Sequence, residues 1–460
     1  MPADQALVTR VKITGIDKQF QEQALLYVQK QVRPNSRLNL ALYNTFNTKK
    51  GKYRTDRIKK IGEAPNVLDS SLVEISRIQI EKFLKSKGYF NAVVKSEIEV
   101  KKKKASILFT AVPGTEFKIR NVQYLINDSL VSQLYKRKSP DFTHIHKGDR
   151  FDSDTLTYER EQIFSMMKNN GYFDYVRQYV RFDVDTNLYS SQADLKMILS
   201  NPADKGAHPV YTIDESYINI RNSKGITADI VPDSALIDSQ YHVKDYSKKF
   251  HPKLPTRFIY ANKGDIYSSS NEDLTYDRLY DLNVFKNVKI DYIKAADSTN
   301  RLFPRYDLVP LKKMSNRIEG EFTFNSGRNG FNIGDTYSNR NLFGGAELLE
   351  VKARYGIQFD AQAGGSFLNR IFSRDFQLGA TLTYPKLLAP FRLPQFGKNG
   401  IPHTIISSSF QLFDQRDAFS NRVFINSLTY DWSETRYKFH SVTPINVEFR
   451  RGKLDAAFRD

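Results

Sequence analysis

One stretch of this chain decides how its second half can fold. From position 349 to 361 every second residue is apolar or small (Leu349, Val351, Ala353, Tyr355, Ile357, Phe359, Ala361), with Glu350, Lys352, Arg354, Gln358 and Asp360 among those between. A period of two belongs to a strand, whose side chains point alternately to opposite faces. A dozen such residues exceeds the usual strand of about five or six, and about 9–11 suffice to cross a bilayer at a tilt. The same alternation is expected through 318–324, 376–384, 406–412, 424–432 and 439–449, with Gly, Asn, Pro and Asp in the connections. No apolar run reaches the roughly 18 residues a spanning helix needs, so strands are the one way this chain could enter a membrane. Two-faced strands fit a membrane barrel, with lipid outside and a polar lumen, and also a soluble sandwich. Strand length and the charges filling the second face favour the barrel. About six or seven strands are fewer than the roughly eight of the smallest membrane barrels, so a further barrel segment is expected outside this sequence.

The first three hundred residues follow another grammar. A shift of 83 residues sets Leu68-Asp69-Ser70 over Phe151-Asp152-Ser153. Arg77 then falls on Arg160, Gln79 on Gln162, Ile80 on Ile163, Lys85 on Lys168, and Gly88-Tyr89-Phe90 on Gly171-Tyr172-Phe173. A shorter third copy runs from Lys263-Gly264-Asp265 to Asn283-Val284-Phe285. Repetition at this scale signals tandem modules. In each copy an Asp or Ser at the N-cap opens an amphipathic helix, whose expected apolar face in the first copy is Ile75, Ile78, Phe83 and Leu84. Gly88 and Gly171 stand where the helix must end in a left-handed conformation. Two strands follow: 93–100 and 107–109 around the lysines at 101–104, expected as a solvated hairpin turn, and 176–184 and 195–199 in the second copy. A strand precedes the helices at 8–13, 117–126 and 211–220. Strand, helices, two strands makes a small α+β module with exposed sheet edges, which can accept a strand from another chain. A purely structural spacer is the alternative.

Composition removes several chemistries. There is no cysteine, hence no disulfide, Cys-based zinc site or thiol nucleophile. His144 and His146 would share one face of a strand, but two ligands are too few for a metal site. Gly364-Gly365-Ser366 is not the Gly-x-Ser-x-Gly elbow of hydrolases, and 325–330 lacks the Lys and Ser/Thr of a phosphate loop. The chain is therefore expected to be no enzyme and to have no catalytic, metal or cofactor-binding residues. A net charge of +18 suits a polyanion or an anionic lipid surface. The aromatics, however, lie opposite the charges on the late strands, whereas base stacking needs them on the basic face, so nucleic acid is not expected as a partner.

Several motifs resemble a known family. Tyr27-Val28-Gln29-Lys30-Gln31, Arg33-Pro34-Asn35-Ser36-Arg37, Leu42-Tyr43-Asn44 and Ile61-Gly62-Glu63-Ala64-Pro65 resemble, in this order, the first module of BamA/TamA-family outer-membrane assembly proteins of the Bacteroidetes type. Ser338-Asn339-Arg340-Asn341-Leu342-Phe343-Gly344-Gly345-Ala346-Glu347 is similar to the hairpin near the start of that family's barrel, and Tyr384-Pro385-Lys386-Leu387-Leu388-Ala389-Pro390-Phe391 to a following segment. The resemblance covers essentially the whole chain. It implies α+β tandem POTRA (polypeptide-transport-associated) modules followed by an incomplete antiparallel transmembrane β-barrel. Module 1 would span 1–116, module 2 117–205, module 3 206–312, and the N-terminal part of a surface-antigen-type barrel 313–460. A complete barrel in the family has about sixteen strands.

The resemblance also implies an outer-membrane location with the modules in the periplasm. The partners would be outer-membrane lipid, unfolded outer-membrane or passenger proteins, and an inner-membrane or periplasmic protein, and the work their insertion or translocation. In the family the first and last barrel strands meet at a weak seam that opens towards lipid. The first strand corresponds here to Arg317, Ile318, Glu319, Gly320, Glu321, Phe322, Thr323 and Phe324. In module 2 the expected client-pairing edge is Val176, Tyr179, Val180, Phe182 and Val184. The start, Met1 to Ala6, lacks the basic and apolar regions of a leader, so Met1 is expected to be an internal start and both ends to be truncated. A soluble β-rich module for polyanions, or an envelope tether without insertase activity, are the rival readings.

Overall fold

The computed structural model describes residues 5–46, 61–187, 190–203, 205–222, 224, 230–297, 299–325, 328–360, 367–389 and 397–455. Residues 1–4, Gly364-Gly365-Ser366 and Pro390-Phe391, on which expectations were placed, lie outside them. The chain forms two units.

The first unit, Met1–Met166 with Asp174–His208, holds two modules of one topology. Module 1 runs β1 (Leu7–Thr14), α1 (Lys18–Leu25), α2 (Arg37–Phe46), α3 (Ser70–Ser86), β2 (Val93–Lys101) and β3 (Lys104–Val112), with sheet order β1-β3-β2. Module 2 runs β4 (Lys118–Ile126), α4 (Ser129–Lys138), α5 (Ser153–Lys168), β5 (Val180–Asn187) and β6 (Gln192–Leu199), with order β4-β6-β5. In both, the first strand is parallel to the last, and the middle one is antiparallel at an edge. The Asp69 carboxylate caps α3 by accepting from the N–H groups of Ser71 and Leu72.

The buried stripe of α3 is Val73, Ser76, Ile80, Phe83 and Leu84, whereas Ile75 and Ile78 are exposed. The expected face was thus partly wrong: at 100° per residue, positions 75 and 78 fall outside the stripe that 73, 76, 80, 83 and 84 define. Lys102 and Lys103 both have positive φ, +49° and +61°, as the two-residue turn matched to hairpin twist demands.

The repeated Gly-Tyr-Phe joins one module to the next. Gly88 has φ +88°, its carbonyl accepts from the Phe117 N–H at 2.9 Å, and a Cβ there would lie 2.4 Å from the Phe151 carbonyl oxygen. Phe90 leaves its own module for the core of module 2, its ring centroid 5.0 Å from those of Phe117 and Phe151. Around it the Lys87 ammonium lies 3.1 Å from Asp152 and 2.7 Å from Asp154, and Arg150 lies over Phe20.

The second unit comprises Met167–Phe173 and Pro209–Asp460. Gly171, φ +93°, repeats the device: its carbonyl accepts from the Tyr211 N–H at 2.8 Å, and Phe173 packs on Tyr211, Tyr267 and Tyr292. Module 3 runs β7 (Thr212–Ile213), β8 (Ser216–Ile220), β9 (Asp233–Ile237), β10 (Tyr241–Asp245), α6 (Lys253–Thr256), α7 (Ser269–Asp281), β11 (Phe285–Lys294) and β12 (Arg301–Pro310). Its sheet order is β11-β12-β8-β10-β9, with β7 beside β12. The single strand expected at 211–220 is therefore broken, and the β9–β10 hairpin, missed in the sequence, pairs along the side of β8 whose counterparts at β1 and β4 are sheet edges.

Seven long strands follow: β13 (Met314–Asn325), β14 (Arg328–Arg340), β15 (Leu348–Asp360), β16 (Ile371–Tyr384), β17 (His403–Gln415), β18 (Phe419–Ser433) and β19 (Phe439–Leu454). They form one antiparallel wall in sequence order, and among the described residues β13 and β19 are not paired with each other. Two turns of the wall lock onto module 3. Ala346 and Ile401 are buried in its core with Ile218, Leu279 and Tyr306. The His251 N–H donates to the Gly344 carbonyl at 2.9 Å, Asn341 Nδ2 to the Lys249 carbonyl at 2.7 Å, and Arg278 to the carbonyls of Gly397 and Lys398 at 2.8 and 3.0 Å.

Candidate functional site

Register assigns every wall residue to a face. One cross-strand row reads Ile318, Asp335, Ala353, Leu378, Phe410, Phe424, Phe449, and a second reads Met314, Asn339, Leu349, Leu382, Ile406, Leu428, Ile445. This face is apolar and stands in the open: Ile318 is 72% exposed, Phe322 70%, Phe324 71% and Phe449 64%. The opposite face carries the wall's ion pairs, and the side chains of Arg317, Glu319, Glu321 and Arg354 on it are 69%, 62%, 59% and 50% exposed. Gly330, Gly356, Ser373 and Val423 are buried there. Arg354 pairs with Glu321 at 3.1 Å, Arg450 with Glu448 at 2.9 Å, Ser407 Oγ lies 2.6 Å from Ser427 Oγ, and Gln411 donates to Asp375 at 2.9 Å. A water-soluble layer does not leave such apolar rows in the open, because each Å² of apolar surface left in water forgoes about 25 cal/mol. Towards the module 3 end the outward positions carry a girdle of aromatics, Tyr384, Tyr430 and Trp432.

The expected seam strand lies wholly within β13. Residues Arg317 to Phe324 pair with Thr336 to Asn329 of β14 on one side, and no described strand pairs on the other. Ile318, Gly320, Phe322 and Phe324 face outward; Arg317, Glu319, Glu321 and Thr323 lie on the opposite face. A strand in this position offers a row of unpaired N–H and C=O groups.

The module 2 edge needs a correction. Val180, Phe182 and Val184 belong to edge strand β5, paired to β6 alone, but Val176 and Tyr179 precede it. There the Tyr179 N–H turns back to the Val176 carbonyl at 3.2 Å in a single 3₁₀ turn, and its ring packs against Tyr175 and His208. A residue whose N–H is spent within its own turn presents no strand edge. Val180 is buried, Phe182 packs partly against the core and Val184 is 37% exposed. The sequence reading overlooked its counterpart: Ile98 of β2, 38% exposed, sits opposite Ile107 as Val184 sits opposite Leu195, and Ile107 and Leu195 in turn pair with Val11 and Val122. Both modules thus end their helix-side face in a half-uncovered β-branched residue on an edge strand.

The histidines hold no metal geometry. His144 lies in a loop and stacks on Tyr158, and His146 Nδ1 is 3.2 Å from Asp149. Among the described residues no group of three or more His, Asp or Glu is placed to bind a metal ion. Within module 2, Tyr135 Oη donates to Glu159 Oε1 at 2.8 Å, and burial pushes the Glu159 carboxyl above the usual carboxylate range.

No family model and no curated protein matches the sequence. Among solved structures, the chain is similar to POTRA domains 3–5 of Haemophilus influenzae BamA, at 13% identity and TM-score 0.33 over 67% of this chain and 98% of that one. It is similar to Haemophilus ducreyi BamA lacking POTRA domains 1–3, at 14% identity and TM-score 0.45 over 74% and 52%. CdiB from Acinetobacter baumannii follows at 11% identity and TM-score 0.28 over 74% and 62%. The chain spans about half the length of the Haemophilus ducreyi protein. None of the three bears on the Bacteroidetes type. Identities and scores of this size leave function to be argued from the chain's own geometry.

Proposed function

We propose that the chain belongs to the BamA/TamA family of outer-membrane assembly and translocation proteins. Its POTRA modules, at 1–116, 117–205 and 206–312, lie in the periplasm, and the wall from 313 is part of a barrel in the outer membrane. The observation that carries this reading is the wall's two-faced chemistry, with exposed Ile318, Phe322, Phe324 and Phe449 on one face and ion pairs such as Arg354–Glu321 on the other, which suits lipid on one side and a wet lumen on the other. The same observation disfavours a soluble polyanion binder, which would not leave Ile318, Phe322, Phe324 and Phe449 together in water.

The work is done by strand pairing, with no catalysis and no cofactor. Extended segments of unfolded outer-membrane or passenger proteins add to the β5 edge, with Val180, Phe182 and Val184 on the helix-side face, and pass to the open edge of β13 at Arg317 to Phe324. Backbone hydrogen bonds give such pairing its affinity largely regardless of client sequence, and the Val184 and Ile98 positions offer apolar purchase.

Proline scanning tests the edge. Along an edge strand alternate N–H groups point away from the sheet, so of Asp183→Pro and Val184→Pro one should spare the β5–β6 ladder and obstruct an incoming strand. That variant should lose most site-specific crosslinking to clients while module 2 keeps its thermal stability; undiminished crosslinking in both rejects the β5 edge. Depletion of the intact protein separates assembly from tethering, since loss of a tether leaves other barrel proteins inserted.

A further inference from the structure

The outward positions of the wall strands carry four basic residues, Arg374, Arg422, Arg451 and Lys453, all in the halves of their strands remote from module 3. At the near end the same face carries aromatics. Above the apolar row of Phe410, Phe424 and Phe449, the next row reads Leu412, Arg422, Arg451, and the one after it Asp414, Ser420, Lys453. Arg422 and Arg451 are directly opposite each other, an arrangement that costs stability unless something negative lies between. Asp414 stands diagonal to Arg422 and opposite Arg374, so at this end of the face four cations have one anion among the outward strand positions.

On the opposite face Arg450 pairs with Glu448 and Arg354 with Glu321. On the outward side Arg422, Arg451 and Lys453 make no ion pair or hydrogen bond with any described residue. Their anion must come from outside the wall, at the level where the apolar rows stop. The guanidinium fork matches a phosphate, and Phe424 and Phe449, 42% and 64% exposed, continue beneath it as an apolar slope.

We propose that Arg422, Arg451 and Lys453 bind the phosphate of an anionic lipid in the leaflet remote from module 3, with its acyl chains over Phe424 and Phe449. The inference rests on the lipid-facing reading of the wall. The full chain is placed in phosphatidylcholine nanodiscs doped with a diphosphorylated glycolipid (lipid A) or its dephosphorylated form, and lipid retained after exchange into neutral detergent is quantified by mass spectrometry. Arg422→Gln/Arg451→Gln should lower retention of the phosphorylated form by at least about tenfold, a modest estimate for two lost charge-assisted contacts. Arg422→Lys/Arg451→Lys should keep most of it, Lys352→Gln on the opposite face should change nothing, and excess inorganic phosphate should not displace it. Equal retention by the double Gln variant, equal retention of the dephosphorylated lipid, or displacement by inorganic phosphate overturns the site. If the unaltered chain fails to insert, the lipid-facing reading itself falls; if it inserts while retention is indifferent to these changes, this inference alone fails.

Discussion

Adjacent residues of β16 offer a sharp test, since Gln377 and Leu378 sit at one height on opposite faces. Leu378 is outward and 44% exposed, between Ala353 and Phe410; Gln377 lies on the opposite, polar face, between Arg354 and Gln411. Six residues separate Leu378 from Tyr384 of the girdle, roughly 20 Å along a strand rising about 3.3 Å per residue and about 15 Å of depth at a tilt near 40°. That depth is near the middle of an apolar band about 25 Å tall, where an arginine costs about 2–4 kcal/mol. Leu378→Arg should therefore lower the folding equilibrium constant in lipid by about 30- to 900-fold. Gln377→Arg should cost below about 1 kcal/mol, because a like charge across a wet, screened surface is weakly felt. Urea titration of vesicle-reconstituted chain, followed through its single tryptophan, Trp432, measures both. The reverse order, or equal losses, would refute the assignment of faces. So would a chain that folds without detergent or lipid and stays monodisperse in water.

Two further outcomes follow from unit 1. Gly88→Ala, in a left-handed conformation with the Phe151 carbonyl 2.4 Å from the added Cβ, should destabilise the unit by about 2 kcal/mol or more, whereas Gly148→Ala, equally left-handed but with nothing within 4 Å, should cost about 1 kcal/mol of backbone strain alone; equal effects in thermal denaturation would rule out the close approach. Glu159→Gln should stabilise the unit at neutral pH: the buried carboxyl titrates above its unfolded value, so the native state favours the protonated acid, and stability falls as pH rises from the unfolded to the folded pKa. The advantage of the glutamine should shrink to nothing in acid, and a pH-independent difference between melting curves would contradict the burial mechanism.

The features most legible in the sequence were those with a period. The alternation from Leu349 lies on β15 with its apolar residues outward as far as Phe359, Ala361 lying outside the described residues, and the 83-residue repeat marks glycines that do turn left-handed. Strand β14 was missed because Asn329, Gly330, Asn332, Gly334 and Asp335 have the composition of a loop; they form a strand because β13 and β15 supply partners on both sides. The β9–β10 hairpin failed similarly, since five-residue strands carry too little pattern to stand out from turns. On β5 the alternation looked continuous from Val176, but a local hydrogen bond starts the strand four residues later. That β13 and β5 are edges was beyond periodicity altogether, because an edge is defined by who does not pair.

The shared core of module 3 and the wall sets an order of events. Module 3 spans little more than a hundred residues, yet Ala346 and Ile401, which complete its interior, arrive after its last strand has passed, one in the turn after the second strand of the wall and the other two strands later. A chain delivered N-terminus first therefore carries module 3 as an unfinished body with a greasy gap until those turns come home. Its final consolidation and the first stage of wall assembly become a single step, timed by the wall.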